Sequence, residues 1–392
     1  MYRRRFLSAA SLASATSISY SGQVYASWIA GATEKIRVLD IKKISWKPPL
    51  YHGWPTLARR KNGELILAFS GGRESHICPF GRLEWMRSKD SGETWGWPQV
   101  LYDGPIDDRD AGILETQKGT LLVTTFTSLA YEPFLAKAEK AKPGEPGAFA
   151  TPELLKEWQA AHQRLSDDER KEELGCYMLR STDGGITWSA RYRVPCNSPH
   201  GPVPLRDGRL LYAGKALWAG NQVGFWESLD DGMSWKWLTA VPSRSEDQTL
   251  HYHELHAVEA ANGRILCHIR NHNDSNRGET LQTESDDGGR TWTVPHSIGV
   301  WGLPSHLLRL KSNRIVMTYG YRRNPFGNQL RYSDDHGSSW SDPISLSDDG
   351  YRGDLGYPST VECDDGTLVT VWYEVMKDSP FAQLRQARWA WA

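Results

Sequence analysis

The chain holds 392 residues, 39% of them hydrophobic and 24% charged, with a formal net charge of −1. That length and apolar content support a large core. The near-neutral balance excludes the clustered basic face that nucleic acid or an anionic membrane surface requires. After the N-terminus no stretch is long and apolar enough to span a bilayer. Five cysteines without a C-x-x-C pair predict neither a disulfide framework nor a metal site, and no cofactor is expected.

In chain order, Arg3-Arg4-Arg5-Phe6-Leu7 leads into an Ala/Ser-rich stretch ending near Ala26. This predicts an export signal over residues 1–26, of twin-arginine type, and hence a periplasmic or secreted protein. Free cysteines agree with export after folding. Lys35–Trp46 then alternates like a strand, as does Gln383–Trp391 at the far end.

Between them an eight-residue phrase, S-x-D-x-G-x-[TS]-W, is written five times: Ser88–Trp95, Ser181–Trp188, Ser228–Trp235, Ser285–Trp292 and Ser333–Trp340. Its aspartate can turn a carboxylate onto backbone N–H groups while the glycine takes a positive φ, which makes a tight turn. Six further turns lead into apolar strands, at Gly63, Gly119, Gly208, Gly263, Asn313 and Gly366. The period of roughly 50 residues predicts an all-β, six-bladed propeller of four-stranded antiparallel blades over residues 35–392. The sixth blade lacks the phrase and is expected to be closed by strands from both chain ends.

Residues 131–173 break the repeat. They are rich in helix formers with a Thr151-Pro152 start signal. Without those 43 residues, the 93-residue interval between the first two phrases becomes 50, so a helical insertion in blade two, a hairpin, is expected. It could serve as a lid, an oligomer contact or a solvated decoration.

A propeller aims the start of each innermost strand at its axis, where ligand sites form. The stretch from about four to about eleven residues before each turn residue, twelve in blade six, therefore holds the candidate site. It contains His52-Gly53-Trp54, Asp108-Arg109-Asp110, Pro199-His200, His253-Glu254-Leu255-His256, Ser305-His306 and Asp354-Leu355-Gly356-Tyr357. Titratable groups in all six blades argue for a functional centre.

These phrases, their period and several of these residues resemble the sialidase (neuraminidase) superfamily over essentially the whole mature chain. In that superfamily a tyrosine nucleophile is activated by a glutamate, an aspartate is the acid/base, and three arginines clamp the substrate carboxylate. The resemblance implies Tyr357, in Gly356-Tyr357-Pro358-Ser359, as nucleophile and Glu254 as its base. It implies Arg270 as one arginine, Arg322 or Arg323 as another, and Tyr373-Glu374 as the pair whose glutamate steadies an arginine. The first arginine is missing, since Gly53-Trp54-Pro55 stands there, and Arg73 is a candidate replacement. For the acid, Glu74, His76, Asp108 and Asp110 are candidates. Arg109, His52, His200, His256 and His306 complete the expected substrate contacts.

The resemblance implies an exo-acting glycoside hydrolase cleaving a terminal, acidic sugar from a glycan. A lyase with His/Tyr chemistry at His200, His256 or His306 and a non-catalytic carbohydrate-binding propeller are the alternatives. A metal centre built from these histidines has no supporting ligand spacing.

Overall fold

A computed structural model describes residues 35–392, apart from 46 and 276. The expected signal at 1–26 lies outside the described residues. Six four-stranded antiparallel sheets follow one another. The innermost strands are Tyr51–Arg59, Asp107–Glu115, Val203–Pro204, Tyr252–Glu259, Ser305–Arg309 and Leu355–Glu362 for blades one to six. Blade six is composite: its three inner strands come from the C-terminal end, and Ile36–Ser45 pairs with Gln383–Trp391 as its outer strand. This is why five phrases serve six blades. A strand arriving from the other chain end leaves no third-to-fourth turn in blade six.

The turns form as their chemistry dictates. Each of the six inner-turn residues has positive φ, from 72° at Asn313 to 94° at Gly263. In the phrase, the first serine hydroxyl donates to the aspartate and accepts from the glycine N–H, as in Ser285 with Asp287 and Gly289. The aspartate also accepts from the backbone and hydroxyl of the closing threonine or serine, as Asp287 does from Thr291. The residue before the glycine is also left-handed, as at Ser91 and His336. That second left-handed residue was not expected from the phrase.

The core lies between blades rather than at the axis. Six apolar clusters each join two neighbouring blades. Phrase-ending tryptophans reach back into the preceding blade: Trp292 stacks on Phe225 at 3.7 Å, and Trp95 Nε1 donates to Gln386 at 2.7 Å. Burial of such rings contributes several kcal/mol each.

The insertion is three helices, not a hairpin: α1 (Glu132–Lys140), α2 (Pro152–His162) and α3 (Asp167–Glu173). Thr151 caps α2 by accepting from the Leu154 N–H, and Ser166 with Glu169 forms a capping box on α3. The third helix follows from that box, whose S-x-x-E signal lies within the insertion. Leu135 and Trp158 pack with Tyr131 onto Cys78 of the blade-one loop. Trp158 Nε1 donates to Glu74 at 3.0 Å, so the insertion braces that loop.

Candidate active site

The recurrent polar position resolves into two steps of each innermost strand. Nine residues before the turn residue stand Trp54, Asp110, Pro199, Glu254, Pro304 and Tyr357. Two residues later stand Thr56, Gly112, Gly201, His256, His306 and Ser359. At the first step four blades carry a bulge, between Gly53 and Thr56, Arg109 and Gly112, His253 and His256, and Gly356 and Ser359. Inside each bulge a non-glycine residue takes positive φ: Trp54 52°, Asp110 46°, Glu254 49° and Tyr357 53°. Such strain costs about 1–3 kcal/mol per residue and gathers at functional sites. Here it turns four side chains from the pleat toward one cavity.

That cavity, of about 340 Å³, is lined by Trp54 and His76 from blade one and Tyr357 from blade six. Blade two contributes Arg109, Asp110, Phe126, Ser128 and Ala130; blades four and five contribute Glu254, Arg270, His272 and Arg322. The Tyr357 hydroxyl donates to Glu254 Oε1 at 2.5 Å, and Arg270 Nη1 donates to Glu254 Oε2 at 2.6 Å. Burial, then the Glu254 charge, raise the Tyr357 pKa well above the ordinary phenol, so it stays protonated. Burial also pushes the Glu254 pKa up, but Arg270 and its hydrogen bond, the Tyr357 hydroxyl and Arg322 outweigh it and hold the carboxylate ionised. A neutral phenol thus rests on a charged carboxylate, the arrangement that general-base activation needs.

Asp110 is 7% exposed. Burial pushes its carboxyl up to about 7; Arg109 opposes the shift and Glu254 adds to it. A carboxyl titrating near neutrality is suited to donate and take back a proton.

The cavity holds three cations. The Arg322 guanidinium lies 5.8 Å from the centre of the Tyr357 ring, whereas Arg323 stacks on Trp301 and does not line the cavity. The third is Arg109, seated on the Trp54 ring at 4.7 Å.

Arg73, expected as a substrate cation, is fully buried behind Trp54 and chelates Asp107 through both terminal nitrogens. Gly81 makes room for the pair: a Cβ there would stand 2.0 Å from both Arg73 Nη1 and Asp107 Oδ1. With its charge spent on Asp107, Arg73 has no face for a ligand.

Four expected histidines also lie elsewhere. His52 turns outward, where strand alternation sends it, and meets Ser45 Oγ at 2.6 Å. His200, His256 and His306 pack together with ring centres 4.6–5.2 Å apart. His256 and His306 sit two residues further along their strands and His200 one residue beyond Pro199, so the three plug the axis below the cavity instead of lining it. A separate channel of about 280 Å³, walled by residues such as Leu57, Ile113, Val258 and Leu308, continues from them toward the strand turns. Burial lowers the pKa of all three well below the ordinary value. Among the described residues no group of three or more His, Cys, Asp or Glu side chains is placed to hold a metal ion.

Of the other acid candidates, Glu74 is held by Trp158, and Asp108 is buried against the Gly104 N–H. His76 does line the cavity, with Nδ1 3.0 Å from Asp354 Oδ1. Glu374 steadies an arginine, but that arginine is Arg385, at 2.5 Å and outside the cavity. His272, Phe126, Ser128 and Ala130 were missed because they lie at or just past the ends of second strands, outside the stretches before the turn residues.

The fold is a six-bladed propeller of the kind that sialidases also have. Residues 151–370, more than half of the chain, match the BNR repeat-like domain family, and the chain belongs to that family. Among solved structures, a protein of unknown function from Dyadobacter fermentans superposes with a TM-score of 0.72 at 23% identity, over 91% of this chain and 99% of that one. NanB sialidase from Streptococcus pneumoniae superposes at 0.60 and 13% identity, covering 91% and 70% of the two chains. The intramolecular trans-sialidase from Ruminococcus gnavus does so at 0.59 and 14%, covering 90% and 96%. At these identities the likeness is one of fold. No curated protein matches the chain in sequence.

Proposed function

We propose that the protein is an exo-acting glycoside hydrolase that removes a terminal acidic sugar from a glycan. The observation that carries this reading is the Tyr357–Glu254 hydrogen bond of 2.5 Å at a cavity holding Arg109, Arg270 and Arg322. Tyr357 Oη attacks the anomeric carbon while Glu254 takes its proton. The bond to the leaving oxygen breaks as Asp110 delivers a proton to it. Water then attacks the tyrosyl-linked sugar, Asp110 takes the water proton, and Glu254 returns the other to Tyr357, with net retention. A phenol approaches an anomeric centre bearing a carboxylate with less repulsion than a carboxylate nucleophile would. Arg270 and Arg322 offer forked donors to that carboxylate. The fold relationship to sialidases supports the same reading, and export by the N-terminal signal belongs to it.

The test is release of 4-methylumbelliferone from glycosides of N-acetylneuraminic, 3-deoxy-nonulosonic, 3-deoxy-octulosonic and glucuronic acids. At least one should be hydrolysed by the wild type and none by Tyr357→Phe, with unchanged thermal melts. Turnover surviving in Tyr357→Phe would remove the tyrosine mechanism, and an inert wild type would favour a binding propeller.

A further inference from the structure

The channel below the histidine plug differs in kind from the cavity above it. Its walls are mostly apolar, with Leu57, Ile113, Val258 and Leu308 among them, and His200, His256 and His306 close its inner end. Its two threonines are already engaged. Thr56 Oγ1 donates to the Pro199 carbonyl at 3.1 Å, and Thr360 Oγ1 shares hydrogen bonds with Thr318 and Thr370. Toward the strand turns Arg206 binds Glu259 at 3.0 Å, with Arg309 also in the wall.

Backbone contacts fix the protons on two of the three rings. His256 Nδ1 accepts from the Leu307 N–H at 2.9 Å, and His306 Nδ1 accepts from the Thr360 N–H at 3.4 Å. A neutral imidazole with an accepting Nδ1 carries its proton on Nε2. Among the described residues neither Nε2 has a hydrogen-bond partner, although His256 is only 5% and His306 only 7% exposed. A proton added to Nδ1 would face a backbone N–H, and burial opposes the charge as well, so both rings stay neutral donors. The other titratable groups around the pair are His200, whose own Nε2 is sealed off, and His268 and Cys267 on the second strand of blade four.

Two buried N–H donors without partners are costly unless something accepts from them. Their protons exclude a metal cation. An anion would lie among apolar walls and gain no counter-charge, since neither ring readily takes up a proton. A carbonyl oxygen is neutral, only accepts, and has two lone pairs for two donors. The channel volume of about 280 Å³ is nearly twice the roughly 150 Å³ that accommodates benzene, which leaves room for about ten non-hydrogen atoms.

We infer that the lower channel binds an uncharged aliphatic ketone or ester, its carbonyl oxygen on the Nε2–H groups of His256 and His306 and its hydrocarbon body along Leu57, Ile113, Val258 and Leu308. This site lies outside the glycosidase cavity and stands whether or not a glycoside is hydrolysed.

NMR of the protein with isotope-labelled histidine, titrated with 2-nonanone, tests this. In the empty protein His256 and His306 should both be Nε2–H tautomers. Saturating 2-nonanone should shift both Nε2–H signals, and octanoate, of similar length but charged, should bind at least about tenfold more weakly. Leu308→Trp fills the channel and should weaken 2-nonanone binding at least about tenfold with the tautomers unchanged. Val258→Phe serves the same purpose should the first variant not fold. Nδ1–H tautomers, no response to 2-nonanone, octanoate binding equally or better, or an unchanged response in the filled channel each overturn the inference. A channel that holds water alone gives the second of these results, and a carboxylate seated on Arg309 gives the third.

Discussion

Tyr357 of blade six and Glu254 of blade four stand at the same step of their strands, each in a left-handed bulge, and meet at 2.5 Å. Neither would reach the other from a regular strand, because alternation would turn one or both away from the axis. The pair depends on two strained backbones that the surrounding sheets hold in place.

Glu254→Gln keeps shape and an acceptor oxygen but loses the charge that draws the Tyr357 proton. We expect kcat to fall by roughly 10²–10⁴ with the fold retained. Glu254→Ala also leaves Arg270 without its partner, and unfolding free energy should drop by about 1–3 kcal/mol. Steady-state kinetics and urea denaturation separate the two; a Gln variant with wild-type kcat would end Glu254's role as base.

Asp110 titrates near 7 and must be protonated to act as acid. Activity should therefore decline as pH rises through about 7, and Asp110→Asn should abolish that limb. The Arg109 charge lowers the Asp110 pKa, so Arg109→Met should move the limb to higher pH. A kcat/KM profile against pH checks both, and a limb unmoved in either variant assigns the titration to another group.

The fold was legible because turn chemistry is local: Asp287 or Gly263 specifies its turn from a few neighbouring residues. Tyr357, Glu254 and Arg270 were legible because a resemblance named them. Arg109 and Asp110 stood in the right stretch but with two possible directions, since a bulge reverses which side faces the axis and leaves no clear mark in sequence. Arg73 misled for a related reason. Its partner Asp107 lies 34 residues away on another blade, and a sequence shows the cation without what neutralises it.

The axial histidines predict acid lability. His200, His256 and His306 have folded-state pKa values below the unfolded value near 6.5. On acidification the unfolded chain takes up protons first, so stability is complete above pH 6.5 and is lost as pH falls below it. Each group contributes up to about 1.4 kcal/mol per pH unit in that window. His256 Nδ1 accepts from the Leu307 N–H at 2.9 Å, a bond that the side-chain oxygen of His256→Gln can replace. Urea midpoints between about pH 7.5 and 5.5 should fall less steeply in that variant. An identical slope would place the lability outside the axial cluster.

Two arginines on either side of the Trp54–Tyr357 wall should fail in opposite ways. Arg73→Met leaves Asp107, which is fully buried, with only the longer 3.7 Å ion pair to Arg109. Breaking such a pair costs about 3–5 kcal/mol, so urea denaturation should show a large loss of stability. Arg322 uses its Nε on the Leu355 carbonyl and keeps its terminal nitrogens for the cavity. Arg322→Met should leave stability within about 1 kcal/mol of wild type but raise KM for the acidic glycoside about tenfold, through loss of a charge-assisted contact. If instead Arg73→Met folds normally with the raised KM, the anion is held behind Trp54, and the buried Arg73–Asp107 pair must open to admit it.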